Sequence, residues 1–234
     1  MTLRFATLGP ADSNHALVLS RYLAARGLVG RQGLVNAPGT PSTPGLTGAP
    51  GPGDPVADAC VNITLIDDFS ATFEALVGGD HDYVLQVSAH PSHADCVGRF
   101  MHRAFPVDTF IAPSRPLALV ARREIQAPRS VLRQPATRHY TDLGAWEEHD
   151  AETIVAALDA LLAGAADAAI VAADSLTKHP ERLHLIRPLG AALDTWVLYA
   201  NRPLEVDHTQ GQWLANDGLL RAHFACSATR NRHN

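Results

Sequence analysis

Residues 3–15 read LRFATLGPADSNH, in which an apolar strand, Leu3–Leu8, runs into a turn and then into an amphipathic helix. Asp12 or Ser13 is placed to cap that helix. Because the N–H groups of a first helical turn have no partner inside the helix, such a junction can bind a carboxylate or a phosphate. An ordinary capped strand-to-helix turn is the other interpretation of the same residues.

The composition indicates a globular protein. With 234 residues, of which 46% are hydrophobic and 18% charged, the chain can form one large domain or two lobes of about 100 residues each. No apolar run is long enough for a transmembrane helix, and the first apolar run is too short for a secretory signal, so we expect no membrane association and a cytoplasmic location. The net charge of −5, with no basic stripe, argues against nucleic-acid binding.

The cysteines and histidines predict neither a disulfide framework nor a metal site. Cys60, Cys96 and Cys226 are widely spaced and odd in number, which is typical of reduced thiols. Histidine pairs such as His90 and His93 lack a cysteine or carboxylate at the spacing of metal ligands. No glycine-rich nucleotide loop is present either, so we expect no metal and no cofactor.

Strands and helices alternate from residue 3 to residue 122, and the pattern starts again at residue 130. The predicted strands are Leu3–Leu8, Asn62–Ile66, Tyr83–Val87, Thr109–Ile111, Leu117–Arg122, Ser130–Arg133, Ala168–Ala172, His184–Ile186 and Trp196–Ala200. The predicted helices are Asn14–Arg26, Phe69–Gly78, His93–Phe105, Arg138–Trp146 and Ala151–Leu162.

This order predicts an α/β protein of two lobes, in which the second α/β unit interrupts the first. We expect lobe 1 to hold residues 1–112 and 189–234, and lobe 2 to hold residues 113–188, with a ligand cleft between them at the carboxyl ends of strands. Residues 37–58 are rich in Pro, Gly, Ser and Thr, which predicts a disordered insertion in lobe 1. The amphipathic segment Trp213–Phe224 is expected to pack on lobe 1 or on a second subunit.

Several short motifs carry a resemblance to a known family. Residues 8–14, LGPADSN, resemble the LGPEGT/S motif that opens prephenate dehydratases and the related bacilysin-type prephenate decarboxylases. Residues 67–73, DDFSATF, resemble the start of their second helix, and residues 82–87, DYVLQV, stand where the family has D-Y-x-V-V-P. Residues 134–137 and 161–173 resemble the opening and a later helix–strand unit of its second lobe. The resemblance spans residues 2–200 and implies a periplasmic-binding-protein-like fold of type 2.

The departures from the dehydratases favour the decarboxylases. The dehydratases carry Thr-Arg-Phe on the strand that returns from the second lobe, whereas residues 194–197 here read DTWV and lack the arginine. Residues 88–93, SAHPSH, replace the family's Ile-Glu-Asn-Ser, and the chain after Trp196 is too short for the regulatory ACT domain of many dehydratases. The bacilysin-type decarboxylases also place a small hydroxyl residue before Trp and lack that domain. The resemblance thus implies a cofactor-independent, non-aromatising decarboxylase.

Such a reaction needs groups that bind the two carboxylates of a dicarboxylate substrate. Ser13 and Asn14 are expected to bind the pyruvyl carboxylate with the help of nearby N–H groups. Thr137, Arg138 and Arg115 are candidates for the ring carboxylate, since arginine binds carboxylates in a bidentate manner. Helix capping by Ser13 and Asn14, and simple solvation of Arg138, are the structural alternatives.

The reaction also needs a proton source and an apolar wall where CO2 leaves. Ser88, His90 and Thr195 are the catalytic candidates, and His90 has the side chain that can donate a proton near neutral pH. Ser88 as a nucleophile would require a base that the sequence does not identify. Trp196 is the candidate wall, with a place in the hydrophobic core as the alternative, and a structural histidine is the alternative for His90.

Three functions stay open on the sequence alone. The first is a lyase that decarboxylates prephenate or a related diacid in the biosynthesis of a bacilysin-like amino acid, an antibiotic precursor. The second is a dehydratase-like enzyme or isomerase that acts on another chorismate-derived cyclic diacid. The third is a non-catalytic protein that binds a small carboxylate, because a fold alone does not determine function. A homodimer is possible in each case.

Overall fold

The computed structural model describes residues 2–28, 32–36, 60–204 and 217–230. Residue contacts divide the chain into unit 1, Met1–Ala112 with Asp194–Asn234, and unit 2, Pro113–Leu193. The second boundary thus follows Leu193, whereas the sequence placed it before residue 189, because a strand that ends at Gly190 still pairs inside unit 2. The expected insertion, residues 37–58, lies outside the described residues.

The described residues form these elements in chain order. The strands are β1 (Thr2–Leu8), β2 (Gln32–Asn36), β3 (Cys60–Ile66), β4 (Tyr83–Val87), β5 (Phe105–Pro113), β6 (Leu117–Arg122), β7 (Ser130–Arg133), β8 (Glu147–Asp150), β9 (Ala168–Ala172), β10 (Leu183–Gly190) and β11 (Leu193–Ala200). The helices are α1 (Asn14–Ala25), α2 (Phe69–Gly78), α3 (His93–Phe100), α4 (Ile154–Leu162), α5 (Ser175–Lys178) and α6 (Asp217–Arg230).

Unit 1 is built on a six-stranded sheet with the order β2-β3-β1-β4-β11-β5. β1 runs parallel to β3 and β4, and β11 runs antiparallel to β4. Successive side chains of a strand point to opposite faces, so Phe5 joins the core on the side of α1, while Ala6 joins the core on the side of α2 and α3. Leu220 and Phe224 of α6 complete the first of these cores, which places the C-terminal helix on unit 1.

Unit 2 contains a five-stranded sheet with the order β10-β6-β9-β7-β8. α4 packs on one face, where Leu161 contacts a cluster that includes Val120, and a second cluster around Ile170 and Leu143 covers the other face. β6 is buried along nearly its whole length. This agrees with the continuous apolar sequence of a strand covered on both sides.

The predicted helix Arg138–Trp146 is wrong. A short 3-10 turn, Pro135–Thr137, precedes this segment, which continues in further turns. Gly144 in these turns has a φ of 60°, a conformation that favours glycine and is not helical. A strand follows where none was predicted, since β8 consists entirely of polar residues. Arg133, whose side chain is 2% exposed, holds β8 beside β7 through ion pairs with Glu148 and Asp150.

Candidate functional site

The turn between β1 and α1 presents a capped helix N-terminus. Ser13 Oγ accepts a hydrogen bond from Ala16 N at 3.2 Å and donates one to Leu8 O at 3.1 Å. Gly9 N donates to Ile66 O at 2.9 Å, and a Cβ atom on Gly9 would lie 3.2 Å from Asp67 Oδ1. The glycine therefore lets this turn lie against the turn between β3 and α2. Ser13 and Asn14 are both half-buried at the start of α1.

Ser88 and Thr195 lie at the same edge of this sheet. β1 and β4 are parallel, so the segments that follow Leu8 and Val87 leave the sheet on one side. Trp196 pairs with Val87, and Ser88 N donates a hydrogen bond to Thr195 O at 2.9 Å. The side chains of Ser88 and Thr195 are exposed. Ser13, Asn14, Ser88 and Thr195 therefore lie at the same edge of the sheet, where β1 and β4 end.

His90 is held in a fixed orientation near this edge. Its ring stacks on Phe69 with centroids 3.9 Å apart and planes within 6°. His90 Nδ1 accepts a hydrogen bond from Ser92 N at 3.2 Å, so the neutral ring carries its hydrogen on Nε2. Burial lowers the pKa of His90. The neutral form, a hydrogen-bond donor through Nε2, is therefore favoured over an imidazolium, and the predicted role of His90 as a proton donor stays a prediction.

Trp196 is buried, with 1% of its surface exposed, and lies in the core on the α1 side of the sheet. The edge of its ring system faces His15, in the first turn of α1, with centroids 5.0 Å apart. Burial lowers the pKa of His15 to about 3, so this imidazole is neutral. Trp196 thus packs as a core residue beneath the edge of the sheet, and its predicted role as an apolar wall for CO2 stays a prediction.

Sequence reasoning missed a polar group beside His15. Gln86 Nε2 donates to Thr72 Oγ1 at 2.6 Å, and the Thr72 hydroxyl donates to Phe69 O at 2.7 Å. These two bonds fix the orientation of the Gln86 amide and place its Oε1 atom away from Thr72. Among the described residues, Gln86 Oε1, His15 Nε2 and Trp196 Nε1 are buried without a hydrogen bond of good geometry. The sequence signal was a glutamine in the middle of the apolar strand β4.

Asp194 is a second residue near this edge that the sequence motifs did not indicate. It lies at the start of β11, directly before Thr195, and is half-buried. Burial raises the pKa of its carboxyl group. The signal was an acidic residue next to the small hydroxyl residue of the returning strand.

The remaining predicted residues belong to unit 2. Thr137 is buried, and its Oγ1 donates to Gln134 O at 2.8 Å. Arg138 is exposed. Arg115 is half-buried, and its Nη1 lies 3.7 Å from Asp174 Oδ2. Their predicted role in binding a second carboxylate stays a prediction.

The described part of the chain offers no cluster of three or more His, Cys, Asp or Glu side chains that could hold a metal ion. Its helices include none with the length and hydrophobicity required to cross a bilayer. Cys60, Cys96 and Cys226 are free thiols, and Cys96 is buried.

Comparison with known proteins gives matches among solved structures alone, since no family model and no curated protein matches the chain. Prephenate dehydratase from Arthrobacter aurescens, in complex with L-Phe, is 15% identical with a TM-score of 0.51, and the match covers 86% of this chain. This chain spans 60% of the length of that structure.

Two further structures are similar over nearly the whole chain. The periplasmic VFT2 domain of BvgS from Bordetella pertussis is 13% identical over 98% of this chain and 92% of its own, with a TM-score of 0.48. A periplasmic His/Glu/Gln/Arg/opine family-binding protein from Silicibacter pomeroyi, in complex with lysine, is 15% identical over 99% of this chain and 91% of its own, with a TM-score of 0.45.

The likeness to the dehydratase agrees with the two sheets and two units described above. In the chain, the second unit is inserted into the first. The chain therefore has the two-lobed α/β fold of the periplasmic-binding-protein-like type 2 class.

Proposed function

We propose that this protein is a cofactor-independent lyase that decarboxylates prephenate, or a closely related cyclic diacid, without forming an aromatic ring. The observation that carries the proposal is that Ser13, Ser88 and Thr195 lie at the same edge of the unit 1 sheet. A helix N-terminus flanked by hydroxyl groups suits a carboxylate. The fold shared with a prephenate dehydratase supports the substrate class, and Trp196 in place of the dehydratase arginine supports a different reaction.

The groups at this edge have distinct roles in the proposal. The N–H groups of the first turn of α1, with Ser13 and Asn14, bind the pyruvyl carboxylate. The backbone bond from Ser88 N to Thr195 O keeps these two residues side by side, and their hydroxyl groups are proposed to contact the substrate. Neutral His90 donates a hydrogen bond through Nε2.

The reaction breaks the bond between the ring and its carboxylate, and CO2 leaves. The electron pair of that bond moves into the ring, where a conjugated carbon takes up one proton. The ring hydroxyl stays in place, so a dianion and a proton give CO2 and a monoanion. A dehydratase would instead expel the hydroxyl group together with CO2 and leave an aromatic product.

The direct test is to mix the purified protein with prephenate at neutral pH, to follow CO2 release and the ultraviolet spectrum, and to identify the product by mass. We expect CO2 release with the hydroxyl retained and without aromatic absorbance. Formation of phenylpyruvate would contradict the proposal in favour of dehydration. Binding of prephenate without turnover would instead assign a carboxylate-binding protein.

Two matched cap variants test the carboxylate site. Ser13→Ala and Thr153→Ala each remove a hydroxyl that accepts a hydrogen bond at a helix N-terminus, from Ala16 N and from Ala156 N respectively. Both should lower the free energy of unfolding by about 1 kcal/mol. Only Ser13→Ala should also raise KM for prephenate, by about tenfold, since the bonds of its hydroxyl to Leu8 O and Ala16 N hold the turn whose N–H groups bind the carboxylate. Equal KM values for the two variants would contradict the assigned role of Ser13.

A further inference from the structure

Asp194 lies at the start of β11, beyond the end of β4. Because Trp196 is paired with Val87, the last residue of β4, the residues before Trp196 extend past that strand. Alternate side chains of a strand share a face, so Asp194 lies on the same face as Trp196. That face contacts His15 in the first turn of α1. Asp194 is thereby placed at the sheet edge that carries the proposed carboxylate site.

The surroundings of Asp194 destabilise its ionised form relative to that of an exposed aspartate. The side chain is half-buried, and within residues 2–28, 32–36, 60–204 and 217–230 it makes no hydrogen bond or ion pair. Burial is the cause that raises its pKa. His15 and His90 do not supply a balancing positive charge, since burial lowers the pKa of both imidazoles. Asp12 and Asp68 nearby in the turns are acidic and exposed.

We propose that Asp194 is the catalytic proton donor of the decarboxylation, an inference that rests on the proposed function. As the bond to the ring carboxylate breaks, its electron pair moves through the ring, and the conjugated carbon takes the proton of the Asp194 carboxyl. Asp194 is left as a carboxylate and regains a proton from water after CO2 and the product leave. No oxidant, reductant or second substrate is required.

The substrate itself keeps this acid protonated. An anionic ligand close to a carboxyl group disfavours its ionised form, because two like charges repel each other in a site with little water. Binding of a carboxylate at the start of α1 is therefore coupled to uptake of a proton by Asp194. This coupling also explains why an acidic residue is compatible with an anion site.

Proton uptake can be measured with phenylpyruvate, a carboxylate that lacks the ring carboxylate and cannot undergo the reaction. Calorimetric titrations in two buffers of different ionisation enthalpy, above the pKa of free Asp194, give the number of protons bound with the ligand. We expect a net uptake in the wild type that Asp194→Asn abolishes. The variant should bind phenylpyruvate at least as tightly as the wild type, because the repulsive charge is gone.

Turnover of prephenate gives the second readout. Asp194→Asn should lower kcat by at least about 100-fold, with little change in KM, since general acid catalysis contributes about that factor or more. Asp194→Glu keeps the acid and should recover part of kcat. Asp159→Asn, an exposed acid on α4, is the matched control and should leave both readouts unchanged.

The outcomes separate this inference from the proposed function. If the wild type turns over prephenate, any of three results would overturn the role of Asp194 and leave the lyase intact. These results are binding of phenylpyruvate without proton uptake, proton uptake that persists in Asp194→Asn, and a wild-type kcat in Asp194→Asn. If Asp194→Asn does not fold, absence of proton uptake in the wild type or in Asp194→Glu would overturn it. Failure of the wild type both to bind phenylpyruvate and to turn over prephenate would reject the lyase and the inference together.

Discussion

His15 is neutral in the folded protein because it is packed against Trp196, beneath the first turn of α1. In the unfolded chain a histidine has a pKa near 6.5, whereas burial lowers the pKa of His15 in the folded protein to about 3. Below pH 6.5 the unfolded state thus binds a proton that the folded state does not. The stability that depends on neutral His15 is present above pH 6.5 and is lost as the pH falls toward 3.

Replacing His15 by glutamine removes this titration. Between pH 7 and pH 4.5 the wild type should lose roughly 2–3 kcal/mol more of its free energy of unfolding than His15→Gln. Urea unfolding at both pH values measures the difference. His102→Gln, at an exposed position, should lose stability with pH as the wild type does. Parallel losses in His15→Gln and the wild type would show that His15 is not buried in its neutral form.

Some residues of the site were predictable because they follow strands. Ser13, Ser88 and Thr195 stand next to recognisable apolar runs, and parallel strands bring their carboxyl ends to one edge. His15 and Asp194 were not predictable in the same way. His15 is packed against Trp196 of β11, an element that is distant from it in the sequence, and Asp194 is half-buried at the start of that strand.

Gly9 shows how one position controls the packing of two neighbouring turns. A Cβ atom there would lie 3.2 Å from Asp67 Oδ1 and 3.3 Å from Leu65 Cβ. The Asp67 side chain is exposed and can move, but Leu65 belongs to the buried strand β3. The turn before α1 must therefore shift to accept any larger residue at position 9.

Gly9→Ala should lower the free energy of unfolding by about 1–2 kcal/mol because of this overpacking. Gly98→Ala is the matched control, since a Cβ atom at Gly98 in α3 has no neighbour within 4 Å. It should raise the free energy of unfolding by roughly 0.5–1 kcal/mol, as alanine favours a helix more than glycine does. Urea denaturation of both variants measures these two changes in the free energy of unfolding. Stabilisation by Gly9→Ala would contradict the close approach of the two turns.

The helix α2, whose apolar residues recur at helical spacing, was predicted correctly, whereas the strand β8, which ion pairs hold in place, was not predicted. α2 begins and ends where the sequence placed it, with an Asp68 cap and Gly79 in a left-handed conformation. β8 has no apolar residue, so its place beside β7 depends on the buried guanidinium of Arg133. Such ion pairs between neighbouring strands leave no periodic pattern in the sequence.

The connectivity of the whole molecule makes the two units unequal. Unit 2 is one continuous segment with hydrophobic clusters on both faces of its sheet. Unit 1 needs β11 between β4 and β5, and the chain supplies β11 only after unit 2.

Residues 113–193 expressed alone should therefore fold, whereas residues 1–112 alone should not. We expect the first segment to unfold cooperatively in urea, with a near-ultraviolet circular dichroism signal from Trp146, which packs in its core. The second segment lacks Trp196 and Leu198 of the unit 1 core and should show no cooperative transition. A cooperative transition of residues 1–112 would show that β11 is dispensable for unit 1.

The position of α6 has a bearing on how the protein is made. Tyr83 OH hydrogen-bonds to His223 Nδ1 and Ser227 Oγ, each at 2.8 Å, and Phe224 of α6 packs on Phe5 and Tyr83. A ribosome delivers β1 and β4 long before it delivers these partners. While unit 2 is being synthesised, Phe5 and Tyr83 of nascent unit 1 therefore lack the part of their packing that α6 supplies, and the core on the α1 side is completed only when α6 has been made.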